Sequence, residues 1–545
     1  MREKNENQQN WKIPEKIVEK LNWSKEKGKK GLFRMVFSRS SIICILLLIQ
    51  VLILFAVVSK LSDYYLYINY AFVALSILLV IFIINKNDNP MYLIAWIIPI
   101  LALPVFGCLL YLFVQLQVQG KLMNYKLSIL IDDTKKYLKQ DRDVDAYLEE
   151  QEPQTASLAK YLSNYGGYPM DTNTSVTFFR LGEEKFQRMK EEIKKAKHFI
   201  FLEYFIVEAG VMWDSILALL IEKVEEGVEV RMMYDGMCSF VLLPYNYAKK
   251  LKSVGIKAKT FSQIKPALST YQNNRDHRKI LVIDGKVAFT GGINLADEYI
   301  NKKERFGHWK DTAVMLQGPG VRNFTVMFLQ MWNISEKKSE DFSKYVNVSQ
   351  ESTKKKELPF VPHNGFVCGY GDNPLDKEDV GEQVYLHMIC NATKSIHIMT
   401  PYLILGHELQ QEIEFAAKRG VDVKLILPHI PDKKYAFVLA KTYFKDLISA
   451  GVEIYEYLPG FVHAKEVIAD AKSAVVGTIN LDFRSLFLHF ECAAFIHKNP
   501  VIADIETDFF DTLKKSHKVT MEDVIKQPLK EKIYGRLLRL FAPLM

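Results

Sequence analysis

The chain has 545 residues, of which 49% are apolar and 25% are charged. This composition is typical of a globular protein and excludes a disordered, collagenous or disulfide-scaffold chain. The 71 lysines and arginines exceed the 63 acidic residues by 8, a balance that suits an anionic membrane surface or an anionic substrate. The six cysteines form no CxxC pair, which indicates free thiols and no zinc cluster.

The first 114 residues are predicted as a membrane anchor. A basic tail over 1–40 carries eleven lysines and arginines, and a segment over 41–114 with three uncharged apolar runs follows it. The runs are 42–58, 64–84 and 91–114. A hydrocarbon core of ~30 Å needs ~20 helical residues, so we expect transmembrane helices in a multi-pass protein of the cell membrane.

The orientation of this anchor has two solutions. The tail is basic, and so is the stretch Lys121–Arg142 in the connector that follows over 115–160. Three spans place these two flanks on opposite faces, whereas two spans and one interfacial segment keep both inside. We expect all three runs to lie in the membrane because none contains a charged residue.

The remainder alternates short apolar strands with amphipathic helices. Strands are predicted at 198–202 and 228–234 with a helix between them, and the same order recurs at 395–399 and 421–427. Strand–helix–strand units imply an α/β fold with a parallel sheet covered by helices. The predicted divisions are a first repeat over 161–345, a second over 346–515 and a C-terminal amphipathic helix over 516–545.

One motif occurs once in each repeat. The first copy runs from His277 to Leu295, the second runs from His463 to Leu481, and nine of their nineteen positions are identical. Both copies have lysine at +2, aspartate at +7, glycine at +14 and asparagine at +17. Repetition at one spacing makes coincidence improbable.

The motif suits chemistry on a phosphate. His277 and Lys279, like His463 and Lys465, are two apart on a strand and therefore project from one face. If the two copies fold against each other, one imidazole is a nucleophile and the other a general acid, each with a pKa near ~6.5. Asp284 and Asp470 are interpreted as structural clamps at the far end of the strand. Asn294 and Asn480 are interpreted as neutral donors to the phosphate, and no metal ligands are predicted.

The paired motif resembles the HxKxxxxDxxxxxxGxxN signature of the phospholipase D superfamily. Stretches at 89–96, 291–299, 306–312 and 477–485 are similar to bacterial cardiolipin synthases. The resemblance covers roughly residues 64 to 545. His489 departs from it, because the family usually has asparagine there.

The resemblance implies a pseudo-two-fold pair of phospholipase D-like repeats, each a mixed sheet flanked by helices, and a specific reaction. Two phosphatidylglycerols give cardiolipin and glycerol through a phosphatidyl-histidine, without metal or nucleotide cofactor. His277 is expected as the nucleophile and His463 as acid and base, and the opposite assignment stays open. Asp311 and Glu491 are expected to accept hydrogen bonds from the imidazoles. The implied partners are phosphatidylglycerol, other anionic phospholipids and the membrane, with no nucleic acid.

Two other functions remain open at this point. A membrane-anchored phospholipase D or phosphodiesterase, hydrolysing phospholipid or nucleic acid, uses the same paired motif. A catalytically inactive lipid-binding scaffold ranks below it, because the histidine, lysine and aspartate of both copies are present.

Overall fold

The computed structural model describes residues 52, 65–115, 118–237, 242–262, 273–336, 338–346 and 364–544. The apolar region forms three helices that pack on one another, α1 (Tyr65–Ile84), α2 (Pro90–Ala102) and α3 (Pro104–Gln115). The run 91–114 was predicted as one span, and this is wrong, because the helix breaks at Leu103. Pro104 lacks an amide hydrogen and disfavours helical backbone in the residue before it.

The apolar helices expose much of their hydrophobic surface, as Leu78, Phe82 and Leu101 show at 54–65% exposure. Within the described residues, one helical stretch, Pro104–Tyr137, is long and apolar enough to cross a bilayer. The predicted run 42–58 lies outside the described residues except for Leu52. The helix α1 covers nearly all of the predicted run 64–84.

Two sheets follow the apolar helices. The strands before residue 345 are β1 (Asp171–Thr172), β2 (Ser175–Phe179), β3 (Phe199–Tyr204), β4 (Glu229–Asp235), β5 (Lys257–Phe261), β6 (Lys279–Ile283), β7 (Val287–Gly291), β8 (His308–Lys310) and β9 (Ala313–Gln317). The later strands are β10 (Phe366–Asp372), β11 (Ser395–Met399), β12 (Asp422–Pro428), β13 (Glu453–Tyr457), β14 (Gly460–Val462), β15 (Glu466–Ala469), β16 (Ser473–Gly477), β17 (Glu491–His497) and β18 (Ser516–Val519).

Helices cover these sheets. The connector and the first repeat contain α4 (Val118–Thr134), α5 (Arg142–Gln151), α6 (Pro153–Tyr161), α7 (Gly182–Lys195), α8 (Val211–Glu225), α9 (Tyr247–Lys252) and α10 (Val321–Asn333). The second repeat and the C-terminus contain α11 (Val380–Asn391), α12 (His407–Lys418), α13 (Lys434–Ala450), α14 (Ile502–Leu513), α15 (Met521–Lys526) and α16 (Leu529–Arg539).

The two sheets share one topology. The first has the order β2-β9-β7-β6-β3-β4-β5, and the second contains β10-β17-β16-β15-β11-β12-β13 in the matching places. In each, the pairs equivalent to β3–β4 and β4–β5 are parallel and the other pairs are antiparallel. Side chains from both sheets, such as Ile280, Val282, Ile468 and Val476, join one buried core between them. The predicted mixed-sheet repeats are therefore present.

Two predicted boundaries differ from the structure. The strand β1 falls inside 161–345, yet it pairs with β10 of the second sheet. The segment 516–545 was predicted as a helix, but it begins with β18, which pairs with β13 and extends the second sheet. Pro528 then separates α15 from α16, because proline disfavours helical backbone in the residue before it.

Candidate active site

The two motif histidines occupy equivalent positions at the ends of central strands. His277 lies just before β6, and His463 lies just before β15. Both imidazoles are 8% exposed, and the neighbouring lysines, Lys279 and Lys465, are buried. Each ammonium donates a hydrogen bond to the carbonyl oxygen of the histidine two residues earlier. The site is thus shielded from water except at the imidazole edges.

Each histidine meets a carboxylate from the opposite repeat. The strands β8 and β14 pair in parallel, which aligns His463 with Asp311, and Nδ1 of His463 lies 2.6 Å from Asp311 Oδ2. A single bridge between Asp276 and Phe490 aligns His277 with Glu491, at 2.9 Å from Nδ1 to Oε1. The resemblance implied both carboxylate partners, and the structure places both within hydrogen-bond distance.

These contacts define the chemistry of each imidazole. An ionised carboxylate only accepts hydrogen bonds, so Nδ1 carries the proton and Nε2 keeps its lone pair. Nε2 of His277 and of His463 has no hydrogen-bond partner among the described residues. Each imidazole therefore presents a basic nitrogen on the side away from its carboxylate.

Burial changes the protonation of both histidines. The sequence placed their pKa values near 6.5, and this expectation is wrong. Loss of hydration lowers the pKa of His277 and of His463, and the nearby lysines lower them further, while Glu491 and Asp311 offset only part of the effect. Burial opposes ionisation of Glu491 as well, but His277 and Lys279 hold its pKa below its usual range. Both imidazoles are therefore neutral at pH 7.

The lysines are also perturbed, and they connect the two motif copies. Burial lowers the pKa of Lys279 to about 8 and that of Lys465 to about 7. The charge of Asp311 acts on both ammonium groups, and the charge of Lys279 acts on His463. The two motif copies therefore lie within electrostatic range of each other and form one site.

The two motif aspartates lie away from this site. The carboxylate of Asp284 accepts hydrogen bonds from three successive amides, those of Lys197, His198 and Phe199, each at 2.8 Å. Asp470 does the same for residues 393–395. Both adopt left-handed backbone, with φ of 52° and 54°, which aspartate tolerates. This geometry fits a clamp at the far end of the strand and places neither group near the imidazoles.

The two motif asparagines make hydrogen bonds within their own repeats. The amide nitrogen of Asn294 donates to the hydroxyl of Tyr299 at 2.8 Å, and its oxygen accepts from the Ile206 amide. The nitrogen of Asn480 donates to Ser485 Oγ at 2.9 Å, while its buried oxygen has no partner. Both side chains are buried near the start of the motif strands, and their role toward phosphate stays a prediction.

The half-sites differ in the residues around each histidine. We define the His463 half-site as His463, Lys465, Asp311, Trp309 and Phe461, in which the Trp309 and Phe461 rings lie 5.3 and 5.6 Å from the imidazole. We define the His277 half-site as His277, Lys279, Glu491, His489 and Arg275.

Register makes His489 the equivalent of Trp309, and Arg275 the equivalent of Phe461. The His489 ring lies 5.4 Å from that of His277, and neither of its nitrogens has a hydrogen-bond partner among the described residues. The crossed-strand positions are therefore aromatic beside His463 and polar beside His277, although the Phe205 ring also lies 5.0 Å from the His277 ring.

Sequence reasoning missed two contributors to the site. Thr478, inside the second motif, donates a hydrogen bond from Oγ1 to Glu491, whereas the equivalent Gly292 leaves no room for a Cβ beside the Asp311 carboxylate. Lys185 on α7 donates to the carbonyl of Ile293, where the second repeat uses the hydroxyl of Tyr385. Only the difference of glycine and threonine at one motif position was visible in the sequence.

The sequence predicted no metal ligands, but the structure brings together one group of side chains of the types that bind metals. His277, His489 and Glu491 form one group of ligand-type side chains whose nearest candidate atoms lie within 4.8 Å of one another. His277 and Glu491 are 214 residues apart, so motif spacing could not reveal this group. Nδ1 of His277 already pairs with the carboxylate in this arrangement.

The comparison with protein families gives two matches. The model described as "Cardiolipin synthase, PLD-like domain" matches residues 189–332 and 385–513, about half of the chain. A phospholipase D-nuclease N-terminal model matches residues 74–115, within the apolar helices. This chain belongs to the cardiolipin synthase family. The predicted family and the enzyme class, a phosphatidyltransferase of the phospholipase D type, are therefore confirmed.

Individual relatives agree with this assignment. The chain is 32% identical to a cardiolipin synthase of Geobacillus sp. (strain WCH70), over 87% of this chain and 93% of that one. It is 33% identical to cardiolipin synthase 2 of Bacillus anthracis, over 84% and 88% of the two chains. An uncharacterized protein of Streptococcus mutans is 49% identical over 86% of this chain and 99% of its own.

A solved structure shows the same fold. The phosphatidylserine synthase of Haemophilus influenzae matches with a TM-score of 0.52 and 15% identity, over 71% of this chain and 98% of that one. The comparisons do not favour the alternative of a hydrolase acting on phospholipid or nucleic acid.

Proposed function

We propose that this chain joins two phosphatidylglycerols into cardiolipin and releases glycerol. The observation that carries the proposal is the pair of crossed histidine–carboxylate contacts, each beside a buried lysine. The arrangement supplies two basic nitrogens and two lysine side chains within electrostatic range of one another. Relatives named cardiolipin synthase support the substrate class.

In the first step, Nε2 of His277 attacks the phosphorus of the donor lipid. The N–P bond forms as the bond from phosphorus to the glycerol oxygen breaks, and His463 protonates the departing oxygen. The low pKa of His463 keeps it neutral at pH 7, so it must gain its proton when the anionic phosphate binds and favours the imidazolium. The Glu491 carboxylate stabilises the positive charge that develops on His277.

In the second step, neutral His463 takes the proton from a hydroxyl of the acceptor lipid. The hydroxyl oxygen attacks phosphorus, the N–P bond breaks, and His277 returns to its neutral form. Water in place of the acceptor gives phosphatidic acid instead. Throughout, Lys279 and Lys465 hold the charge of the phosphoryl oxygens as preorganised cations.

The membrane placement is part of the same proposal. We infer a multi-pass anchor from the apolar helices and the uncharged run 42–58. The helix α16 adds a second contact, because one side packs on α13 while Ile533, Leu537 and Phe541 are at least 53% exposed beside basic residues. A basic amphipathic helix of this kind binds anionic lipid surfaces. Anionic phospholipids are thus both the substrate and the surrounding surface.

Purified protein in phosphatidylglycerol vesicles, with products read by mass, tests the function. We expect cardiolipin and glycerol in equal amounts. Phosphatidic acid as the sole lipid product would instead identify a phospholipase D, and release of nucleotides from DNA without lipid turnover would identify a phosphodiesterase. The variant His277→Ala, measured in the same vesicles, controls for a contaminating activity.

A further inference from the structure

A cavity of about 570 Å³ lies where the apolar helices meet the second repeat. We call it the junction cavity and define it by six of its lining residues, Lys86, Trp96, Lys377, Glu382, Glu408 and Leu488. The proposed mechanism uses none of these residues. The cavity joins the part of the chain expected in the membrane to the part that carries the chemistry.

The lining has three chemical zones. Trp96, with Leu93 and Tyr111 beside it, supplies apolar surface from α2 and α3. Lys86 at the end of α1 and Lys377 before α11 supply positive charge. Glu382 and Glu408 supply carboxylates from α11 and α12, and Asp88 and Asp379 add two more beside the lysines. Apolar, cationic and hydrogen-bond-accepting surfaces match the acyl, phosphate and glycerol parts of one lipid.

Glu382 is the strongest sign of a missing ligand. Its side chain lines the cavity, it is only 6% exposed, and Oε1 has no hydrogen-bond partner among the described residues. A Cβ placed on Gly406 would lie 3.6 Å from Glu382 Oε1 and 3.5 Å from Glu408 Oε2, so the two carboxylates face the same space. A buried carboxylate without a donor is costly, and a ligand with hydroxyl groups would satisfy it.

The cavity lies next to the His277 half-site. Leu488 lines the cavity and immediately precedes His489, whose ring is 5.4 Å from that of His277. On the other side, Asp372 accepts hydrogen bonds from the amides at the start of α11, and it pairs in register with Glu491. Glu382 is on the first turn of this same helix.

We propose that the junction cavity binds the acceptor phosphatidylglycerol. The secondary hydroxyl of its glycerol donates a hydrogen bond in the space that Glu382 and Glu408 share, its phosphate lies against Lys86 and Lys377, and its acyl chains lie along the apolar helices. The terminal hydroxyl is left free to reach the phosphorus held on His277. This inference rests on the proposed function, because it assigns a binding site to the second substrate of that reaction.

The test compares Glu382→Gln and Glu408→Gln with Glu412→Gln, a change one turn further along α12 and outside the cavity. Each protein is given phosphatidylglycerol vesicles with and without ethanol. Cardiolipin, phosphatidic acid, phosphatidylethanol and total glycerol are measured. Ethanol is a small acceptor that needs no polyol site, so phosphatidylethanol reports an intact donor site and an intact fold.

We expect the ratio of cardiolipin to phosphatidic acid to fall at least tenfold in the two cavity variants, while phosphatidylethanol formation stays within twofold. The surface variant Lys377→Gln, which does not threaten folding, should require more lipid for half-maximal cardiolipin formation. An unchanged ratio, or an equal loss of cardiolipin and phosphatidylethanol, overturns the inference. Wild-type protein that makes only phosphatidic acid contradicts the proposed function itself.

Discussion

The His277 and His463 half-sites have the same backbone but different walls. Around His463, Trp309 and Phe461 pack against the imidazole and against each other, with 4.9 Å between their ring centroids. Around His277, the equivalent positions hold His489 and Arg275, and Arg275 pairs with Asp235 at 2.7 Å. Duplication therefore preserved the reacting groups and the strand order, while the residues beside them diverged.

This difference matters because the reaction is asymmetric. One imidazole must bond to phosphorus, and the other must move protons to and from alcohols. The His277 half-site is linked to the junction cavity through Leu488 and His489, which are adjacent in the chain. The aromatic walls hold the His463 ring in one orientation, which suits a group that exchanges protons with two different alcohols in turn.

The strongest test of the different roles of the two half-sites is to remove each histidine in turn. We expect His277→Ala and His463→Ala to lower turnover by ~10⁴-fold or more, because neither role has a substitute. The variants should differ with a lipid whose leaving group needs no proton. His463→Ala should then accumulate a phosphatidyl adduct on His277, and His277→Ala should form none. Mass analysis of acid-sensitive adducts shows which histidine is the nucleophile. An adduct on His463 reverses the assignment.

Variants of the two carboxylates, Glu491 and Asp311, should differ in the same way as the histidine variants. Glu491→Gln and Asp311→Asn keep the size of each group but no longer hold the imidazole tautomer, so we expect losses of ~10²–10⁴-fold. The activated lipid should restore adduct formation in Asp311→Asn and not in Glu491→Gln. Equal rescue of both variants would show that the half-sites are interchangeable.

The lowered pKa values of Lys279 and Lys465 predict that activity falls at alkaline pH. Their pKa values are lowered by burial, to about 7 for Lys465 and about 8 for Lys279, so the ammonium forms are lost as the pH rises through these values. We expect kcat/KM to decline above about pH 7. Lys465→Arg should move this decline upward, because a guanidinium stays charged. Lys465→Met should cost ~10²–10³-fold below about pH 7, and this loss should shrink as the pH rises and the wild-type lysine loses its own charge. An unchanged pH profile in the arginine variant would contradict the assignment.

The two equivalent side chains beside the histidines, Trp309 and His489, should contribute unequally to stability. Trp309 is 5% exposed and packs on Phe461 between the repeats, so Trp309→Ala should destabilise the protein by ~3–5 kcal/mol and lower activity about tenfold. His489→Ala removes a ring without hydrogen bonds, and we expect less than a threefold effect on turnover. Thermal inactivation in detergent, measured beside activity, compares the two variants. A larger effect at His489 would give it a role in the reaction.

The smallest expected effect comes from chelation. The only group of three ligand-type side chains in the described part of the chain lies in the His277 half-site, where Glu491 already pairs with His277. Lysines supply the positive charge that the phosphoryl group needs, so transfer should survive exhaustive treatment with EDTA. Saturable rescue of a chelated sample by one specific metal would overturn this expectation.

The sequence was informative wherever a feature is local or repeated. The histidine and lysine of each motif, the far aspartates and the two parallel strand–helix–strand units all follow from spacing along the chain. The antiparallel strands that make each sheet mixed came only with the family resemblance. The break at Leu103 was missed, although Pro104 is visible, because an apolar run fits one long helix equally well.

The contacts that distinguish the half-sites could not be read in this way. His463 and Asp311 are 152 residues apart, and Trp309 matches His489 only through the register of the crossed strands. Docking of the two repeats sets these contacts, and neither repeat's own pattern encodes them. The pKa values of the histidines were missed for the same reason, because burial at an interface leaves no mark in one sequence.

The crossed carboxylates also affect when, during synthesis of the chain, the site can become active. His277 emerges from the ribosome 214 residues before Glu491, the group that orients it. At the usual rate of ~5–20 residues per second, the first repeat waits about 10–40 s without a competent nucleophile. A nascent chain whose apolar helices have already entered the bilayer therefore cannot cleave the surrounding lipids. Chemistry requires the strand that carries Glu491 to be made and the second repeat to dock on the first, so activation is expected late in synthesis.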